Sequence, residues 1–177
     1  MRYWTGGRRV AALAAALLAL GSPRAAAQGD APQSIDPQWL KVDSASKTVE
    51  FAFLAGLTTL SSGLNFNGFK QGGLVLTVPL RWTVVLHFEN RDPALPHSAE
   101  VIPAGDIPTG PVIPAFMRAA TRALDVGLAS GEKQDVRFVA ATAGEYVIFC
   151  AVPGHGAAGM WMRLSIAAGG QPGLTTR

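Results

Sequence analysis

From Thr48 onward, apolar and polar residues alternate with a period of two. Val49, Phe51 and Phe53 fall on one side and Thr48, Glu50 and Ala52 on the other, the pattern of a half-buried strand. The clearest alternation sets Trp82, Val84, Leu86 and Phe88 against Arg81, Thr83, Val85, His87 and Glu89. Further strands are predicted over 74–78, 98–102, 135–140, 145–150 and 161–166, the last with Met162, Leu164 and Ile166 inward. Turn signals separate them: Asn65-Phe66-Asn67-Gly68 contains an Asn-Gly pair, and Asn90-Arg91-Asp92-Pro93 ends a strand. Pro103, Pro108, Pro111 and Pro114 preclude regular structure in their stretch. Phe116, Ala120 and Leu124 are spaced for one face of a single short helix over 115–124, on which Met117 reads as packing. About seven short strands, Gly/Pro turns and one short helix in a Pro-rich insert predict an all-β fold, an antiparallel β-sandwich. A parallel βαβ architecture needs helices that this pattern lacks.

The 177 residues suit one domain with short appendages. The expected division is a secretory leader over 1–27, an extended lead-in over 28–47, the sandwich over 48–168 and a tail over 169–177. In the lead-in, Trp39 and Leu40 are placed to dock on the core. The leader combines basic residues, an apolar run from Val10 to Leu20 and the small residues Ala25-Ala26-Ala27 before Gln28. That run is shorter than the roughly 20 apolar residues a membrane span needs. The expected location is therefore periplasmic or otherwise outside the cytoplasm, and an uncleaved leader would associate the domain with a membrane.

Charge sharpens this division. The formal net charge is +3, yet Arg2, Arg8, Arg9 and Arg24 all lie in the leader, which has no acidic residue. Without it, 15 − 4 = 11 cations face 12 acidic groups, a net of −1. No cluster of Lys or Arg remains to bind nucleic acid. Apolar residues make up 49% of the chain, enough for a packed core, which excludes global disorder.

Cys150 is the only cysteine, so no disulfide can form within the chain, and a lone thiol in an oxidising compartment needs burial or a bound partner. Four residues separate Cys150 from His155, and four separate His155 from Met160. Thiolate, imidazole and thioether are donors that copper prefers, and two His, one Cys and a weak axial Met form an electron-transfer copper site. Pro153 stiffens this loop, and Gly154, Gly156 and Gly159 permit its turns. The second imidazole must come from His87 or His97. His87 shares its strand face with Arg81 and Glu89, away from the core. His97 lies in a turn before a strand and is assigned as the second nitrogen ligand, with Ser98 beside it as a candidate donor tying the two loops together. The expected metal set is His97, Cys150, His155 and Met160.

Cys150-x4-His155-x4-Met160, preceded by Tyr146-Val147-Ile148-Phe149 and followed by Trp161, resembles the type 1 copper loop of the cupredoxins. With Leu95-Pro96-His97-Ser98, Asn65-Phe66-Asn67-Gly68 and Val152-Pro153-Gly154-His155, the chain looks most like the sulfocyanins. The resemblance spans 48–166. It implies a Greek-key β-sandwich with one type 1 copper ion, serving as a one-electron carrier in a respiratory chain. The implied partners are redox proteins such as a cytochrome or a terminal oxidase, and a monomer is expected. Three histidines without a His-x-His pair exclude the extra copper centres of nitrite reductases and multicopper oxidases within this chain, so no enzymatic activity is expected. The alternative is a copper chaperone or storage protein, which would favour exposed, Met- or His-rich ligands.

Overall fold

The computed structural model describes Met1 and residues 34–177; the rest of the expected leader lies outside the described residues. Nine strands follow in order: β1 (Leu40–Asp43), β2 (Thr48–Ala55), β3 (Leu74–Pro79), β4 (Thr83–Asn90), β5 (Glu100–Pro103), β6 (Lys133–Val139), β7 (Gly144–Phe149), β8 (Trp161–Ala167) and β9 (Gly173–Thr176). They form two sheets, ordered β1-β2-β4-β6 and β5-β7-β8-β3-β9. The period-two pattern is what closes them face to face. Along β2 and β8, every second residue is buried, so each strand turns one row of apolar side chains toward the opposite sheet. Phe51, Phe53, Phe66 and Phe88 lie at the centre with Leu74, Leu76, Leu164 and Met162, all at most 1% exposed. The rings of Phe53 and Phe66 stand 4.3 Å apart.

Most neighbouring strands are antiparallel, as the pattern predicts, but β2–β4 and β3–β8 are parallel. A parallel neighbour requires a crossover. Here β3, in the opposite sheet, lies between β2 and β4 along the chain and takes the place a helix would otherwise fill. That is the Greek-key sandwich, and it explains parallel pairs in a chain with no α-helix among its described residues.

Three expectations change at the margins. The lead-in holds a single 3₁₀ turn, Pro37–Trp39, and strand β1, which pairs with β2. The tail carries β9, whose residues 173–176 pair with β3 and cover that edge. The predicted helix over 115–124 is absent. Arg118 and Ala123 have positive φ (63° and 50°), and the segment exchanges backbone hydrogen bonds with Ala99 and Val101 in place of bonds to carbonyls four residues back. Val101 N donates to Ala119 O (3.0 Å), Ala115 N to Val101 O (2.8 Å) and Thr121 N to Ala99 O (2.9 Å). The segment is an irregular partner for the edge of β5. Phe116 is buried as expected, whereas Met117, read as packing, is 86% exposed.

The Asn-Gly signal is a tight turn with both central residues at positive φ, Asn67 at 50° and Gly68 at 79°. The Asn67 side chain is buried and ties the turn to β2: Nδ2 donates to Ala52 O (2.8 Å), and Oδ1 accepts from Leu54 N (3.0 Å). Asn67→Ala is therefore expected to lower unfolding free energy by about 2 kcal/mol, from two lost backbone partners and a less tolerated positive φ. Urea unfolding of the metal-free protein measures this, and a loss below about 0.5 kcal/mol would contradict it.

Candidate metal centre

The end of the sandwich beyond β4, β5 and β7 gathers the chemistry. β7 ends at Phe149, so Cys150 opens a turn that runs to Met160 and re-enters the sheet as β8. Backbone bonds tie the two ends of this loop together: Cys150 N donates to Met160 O (3.0 Å), and Met160 N donates to His155 O (3.1 Å). Gly154 at φ 86° and Gly159 at φ 102° occupy conformations that favour glycine. At Gly156 a side chain would meet Phe149 Cδ2 at 2.7 Å, so the loop can lie this close to the sheet only without one.

The loop preceding β5 supplies His97. His97 N donates to Leu128 O (3.1 Å) and its carbonyl accepts from Leu128 N (2.7 Å), fastening it to the segment that follows the Pro-rich insert. One ligand atom each of His97, Cys150 and His155 lies within 4.8 Å of the others. Cys150 Sγ is 3.5 Å from His155 Nδ1 and 3.9 Å from His97 Nδ1, and the two imidazole rings are 5.2 Å apart. His97 and Met160 are fully buried and Cys150 nearly so, whereas His155 is partly exposed.

Ser98 is the junction. Its amide donates to Cys150 Sγ (3.3 Å), its hydroxyl donates to Leu124 O (2.8 Å), and Ala151 N donates back to the same oxygen (3.1 Å). Phe149 and Trp161, paired across β7 and β8, do not line the cluster. They pack with Ile102, Val147, Ala151, Ile107 and Leu124 on the outer side of the sheet, beneath the insert.

Burial sets the protonation of the donors. It pushes the Cys150 thiol up, against the amide hydrogen bonds from Ser98 and Val152, so the sulfur keeps its proton until a cation displaces it. Burial pushes His97 down despite a neighbouring carboxylate, and it also lowers His155, so both rings are neutral and carry free lone pairs near neutral pH. The carboxylate belongs to Asp92, with Oδ2 3.3 Å from His97 Nε2. Burial alone would raise its carboxyl, but the amides of Leu95 and Ala94 and the His97 ring hold it below the usual value. The sequence marks Asp92 only as a turn residue. Its contact with His97 follows from how the turn closes, which no spacing rule signals.

His87 stands apart. On the outer face of β4, its Nδ1 is 2.8 Å from Asp135 Oδ1 and its Nε2 3.3 Å from Glu50 Oε2. The strand-face reading that set it aside agrees with this placement.

The site lies in a domain that comparisons recognise. A family model described as the Sulfocyanin (SoxE) domain matches residues 36–170. Sulfocyanin of Sulfolobus acidocaldarius is 30% identical over 126 residues, covering 67% of this chain; the match spans 63% of that protein's length. Reduced rusticyanin superposes with a TM-score of 0.51 at 22% identity, covering 73% of this chain and 91% of its own. A rusticyanin variant gives 0.50 at 25% identity, covering 73% and 87%. With the family match, the two-sheet sandwich and its terminal cluster of donors place the chain among the cupredoxins, a class of copper proteins. Within that class, the chain belongs to the sulfocyanin family.

The donors fit a type 1 copper ion. Three ligands, each about 2.0–2.3 Å from one ion in a trigonal arrangement, stand roughly 3.5–4 Å from one another. The sulfur–nitrogen separations of 3.5 and 3.9 Å fall in that range. Two neutral imidazoles and one thiol also match the copper preference for nitrogen and sulfur over oxygen.

His87 provides a control. Burial acts to lower its pKa, but Asp135 and Glu50 together raise it above 6.5. A raised folded value stabilises fully below the unfolded pKa and is lost as pH rises through the folded value. His87→Ala should therefore remove a component of stability present at acidic pH while leaving copper uptake unchanged. Thermal melts across pH, beside a copper titration, check both; weakened copper uptake would contradict the assignment.

Proposed function

We propose that this protein is a mononuclear type 1 copper protein that passes single electrons between redox partners outside the cytoplasm. In this reading His97, Cys150 and His155 are the equatorial ligands and Met160 the axial one. A bound copper ion supplies a one-electron couple between its cuprous and cupric states. The single observation that carries the proposal is the cluster of two imidazole nitrogens and one thiol held within 4.8 Å by two separate loops of a rigid sandwich.

Each residue has a physical part. The Ser98 amide directs a hydrogen bond at the Cys150 sulfur and draws charge from it, which influences the potential. Cross-loop bonds at Ser98 and Leu128 keep His97 and Cys150 at a fixed separation, so a change of metal charge meets little freedom to rearrange. Burial of three of the four donors excludes water. It also disfavours copper delivery, because a chaperone or store needs ligands that an acceptor can reach.

His155 is the donor closest to solvent. Among the described residues, the only buried side-chain nitrogen or oxygen without a partner is Arg163 Nε. Among the described residues the Nε2 of His155 has no hydrogen-bond partner, and the residue is partly exposed. Exposed Pro153, Ala157 and Ala158 surround it with no charged side chain from 146 to 162. An uncharged collar costs little to desolvate, which suits brief docking and quick release. The partners are redox proteins, a cytochrome or terminal oxidase being the kind that the family resemblance implies. Placement outside the cytoplasm rests on the basic and apolar makeup of residues 1–27. Among the described residues, no helix is long and apolar enough to cross a membrane.

Visible absorption of the oxidised, copper-loaded protein tests the reading. An intense thiolate-to-copper band is expected, and Cys150→Ser should abolish it; a full band in that variant would refute the ligand assignment. Met160→Leu should keep the colour and raise the reduction potential, because a lost axial donor disfavours the cupric state. An unchanged or lower potential in voltammetry would remove Met160 from the axial position. Ala157→Asp should slow electron exchange about tenfold, the effect of about 1.4 kcal/mol of added desolvation at the docking face, with the spectrum intact. An undiminished stopped-flow rate would place the exit elsewhere.

A further inference from the structure

We infer that Asp92 is the positioning residue of this centre: its buried carboxylate accepts the Nε2–H of His97, which leaves Nδ1 bare toward Cys150 and sets a negative charge behind the ligand ring that favours the oxidised state. The inference rests on the proposed copper reading and adds a residue that the sequence marks only as part of a turn.

The geometry gives the two carboxylate oxygens separate tasks. Oδ1 accepts from Ala94 N (2.8 Å) and Leu95 N (2.9 Å), which closes the turn between β4 and His97. Asn90 buttresses the same turn, its Oδ1 accepting from Asp92 N (2.9 Å) and its Nδ2 donating to Leu95 O and Leu128 O. With Oδ1 engaged by the backbone, Oδ2 is left for the imidazole, 3.3 Å from Nε2. An ionised carboxylate can only accept, so the nitrogen facing it must carry the proton. The other nitrogen, Nδ1, then holds its lone pair on the side of Cys150 Sγ and His155. A metal-ligating histidine held through its second nitrogen by a carboxylate is thereby fixed in both tautomer and ring orientation.

The surroundings leave that charge to the ring. Asp92 is 4% exposed. Its sequence neighbour Arg91 pairs with Glu89, and among the described residues no Lys or Arg forms an ion pair with Asp92, whose Oδ2 faces the neutral His97 ring. Two glycines make room for the carboxylate. Gly56 (φ 63°) and Gly63 (φ 88°) both approach Asp92 so closely that a Cβ on either would collide with it, at Gly63 with Oδ2 itself. The loop between β2 and β3 thus passes closest to Asp92 at two positions that carry no side chain.

The test separates positioning from plain turn closure. Asp92→Asn keeps an oxygen for Ala94 N and Leu95 N but turns an amide donor toward His97. In the metal-free protein, nitrogen-15 NMR of the imidazoles should report the Nε2–H tautomer for wild type and a shift toward Nδ1–H in Asp92→Asn. Copper affinity, measured by chelator competition, should fall about 10–100-fold, and the reduction potential should rise with loss of the charge. If the wild-type ring carries its proton on Nδ1, the inference fails, whether or not any variant folds. An Asp92→Asn protein with wild-type tautomer and potential also overturns it while leaving the copper reading in place. A wild-type protein lacking the thiolate band would instead overturn the copper reading itself.

Discussion

Everything at the metal end depends on one small side chain where three segments of the chain meet. The Ser98 hydroxyl donates to the insert at Leu124 and accepts from Ala151, while the Ser98 amide points at the Cys150 sulfur. Ligands separated by 53 positions in sequence must be held at fixed distance by structure between them. A single flexible loop could supply Cys150, His155 and Met160, but it could not hold His97 against them. The sandwich does so by packing the loop before β5 beside the end of β7, and Ser98 closes the remaining gap. The cost of ordering these loops is borne by the core beneath, where the phenylalanines of β2, β4 and the Asn67 turn pack together.

The Pro-rich insert acquires a purpose in this arrangement. It runs along the open edge of β5, delivers Leu124 to Ser98 and the Thr109 carbonyl to Gly154 N (2.9 Å), and leads into Leu128, which pairs with His97. Buried Glu100 holds the insert down through Val112 N (3.2 Å), and burial pushes its carboxyl up. The insert therefore covers a sheet edge and walls the site at once.

Much of the sandwich was legible because half-buried strands impose a period of two, and β2, β4 and β8 obey it cleanly. The ligand loop was legible because Cys, His and Met in one short segment have few other joint uses. The separation of His87 from the cluster and the nearness of His97 to it were legible from the strand face of one and the turn that carries the other. Other features are set by contacts that leave no local trace. Phe116, Ala120 and Leu124 have helical spacing, but hydrogen bonds between this segment and Ala99 and Val101 hold it along the edge of β5 in an irregular form. β9 is too short and polar to stand out, and it exists because β3 offers it an edge. Parallel pairing of β2 with β4 follows from the crossover through the other sheet, which strand patterns do not encode. Asp92 reads as a turn former, and its second oxygen acquires meaning only once the turn has folded over His97.

In the proposed centre the fold presents one sulfur and two imidazole nitrogens in a fixed arrangement that barely changes with the charge of the metal. Copper-edge X-ray absorption of the same protein in its oxidised and reduced states measures this directly. One thiolate sulfur and two imidazole nitrogens are expected in both states, with only slight changes in distance. Loss of a nitrogen on reduction, or a new oxygen from water on oxidation, would contradict it.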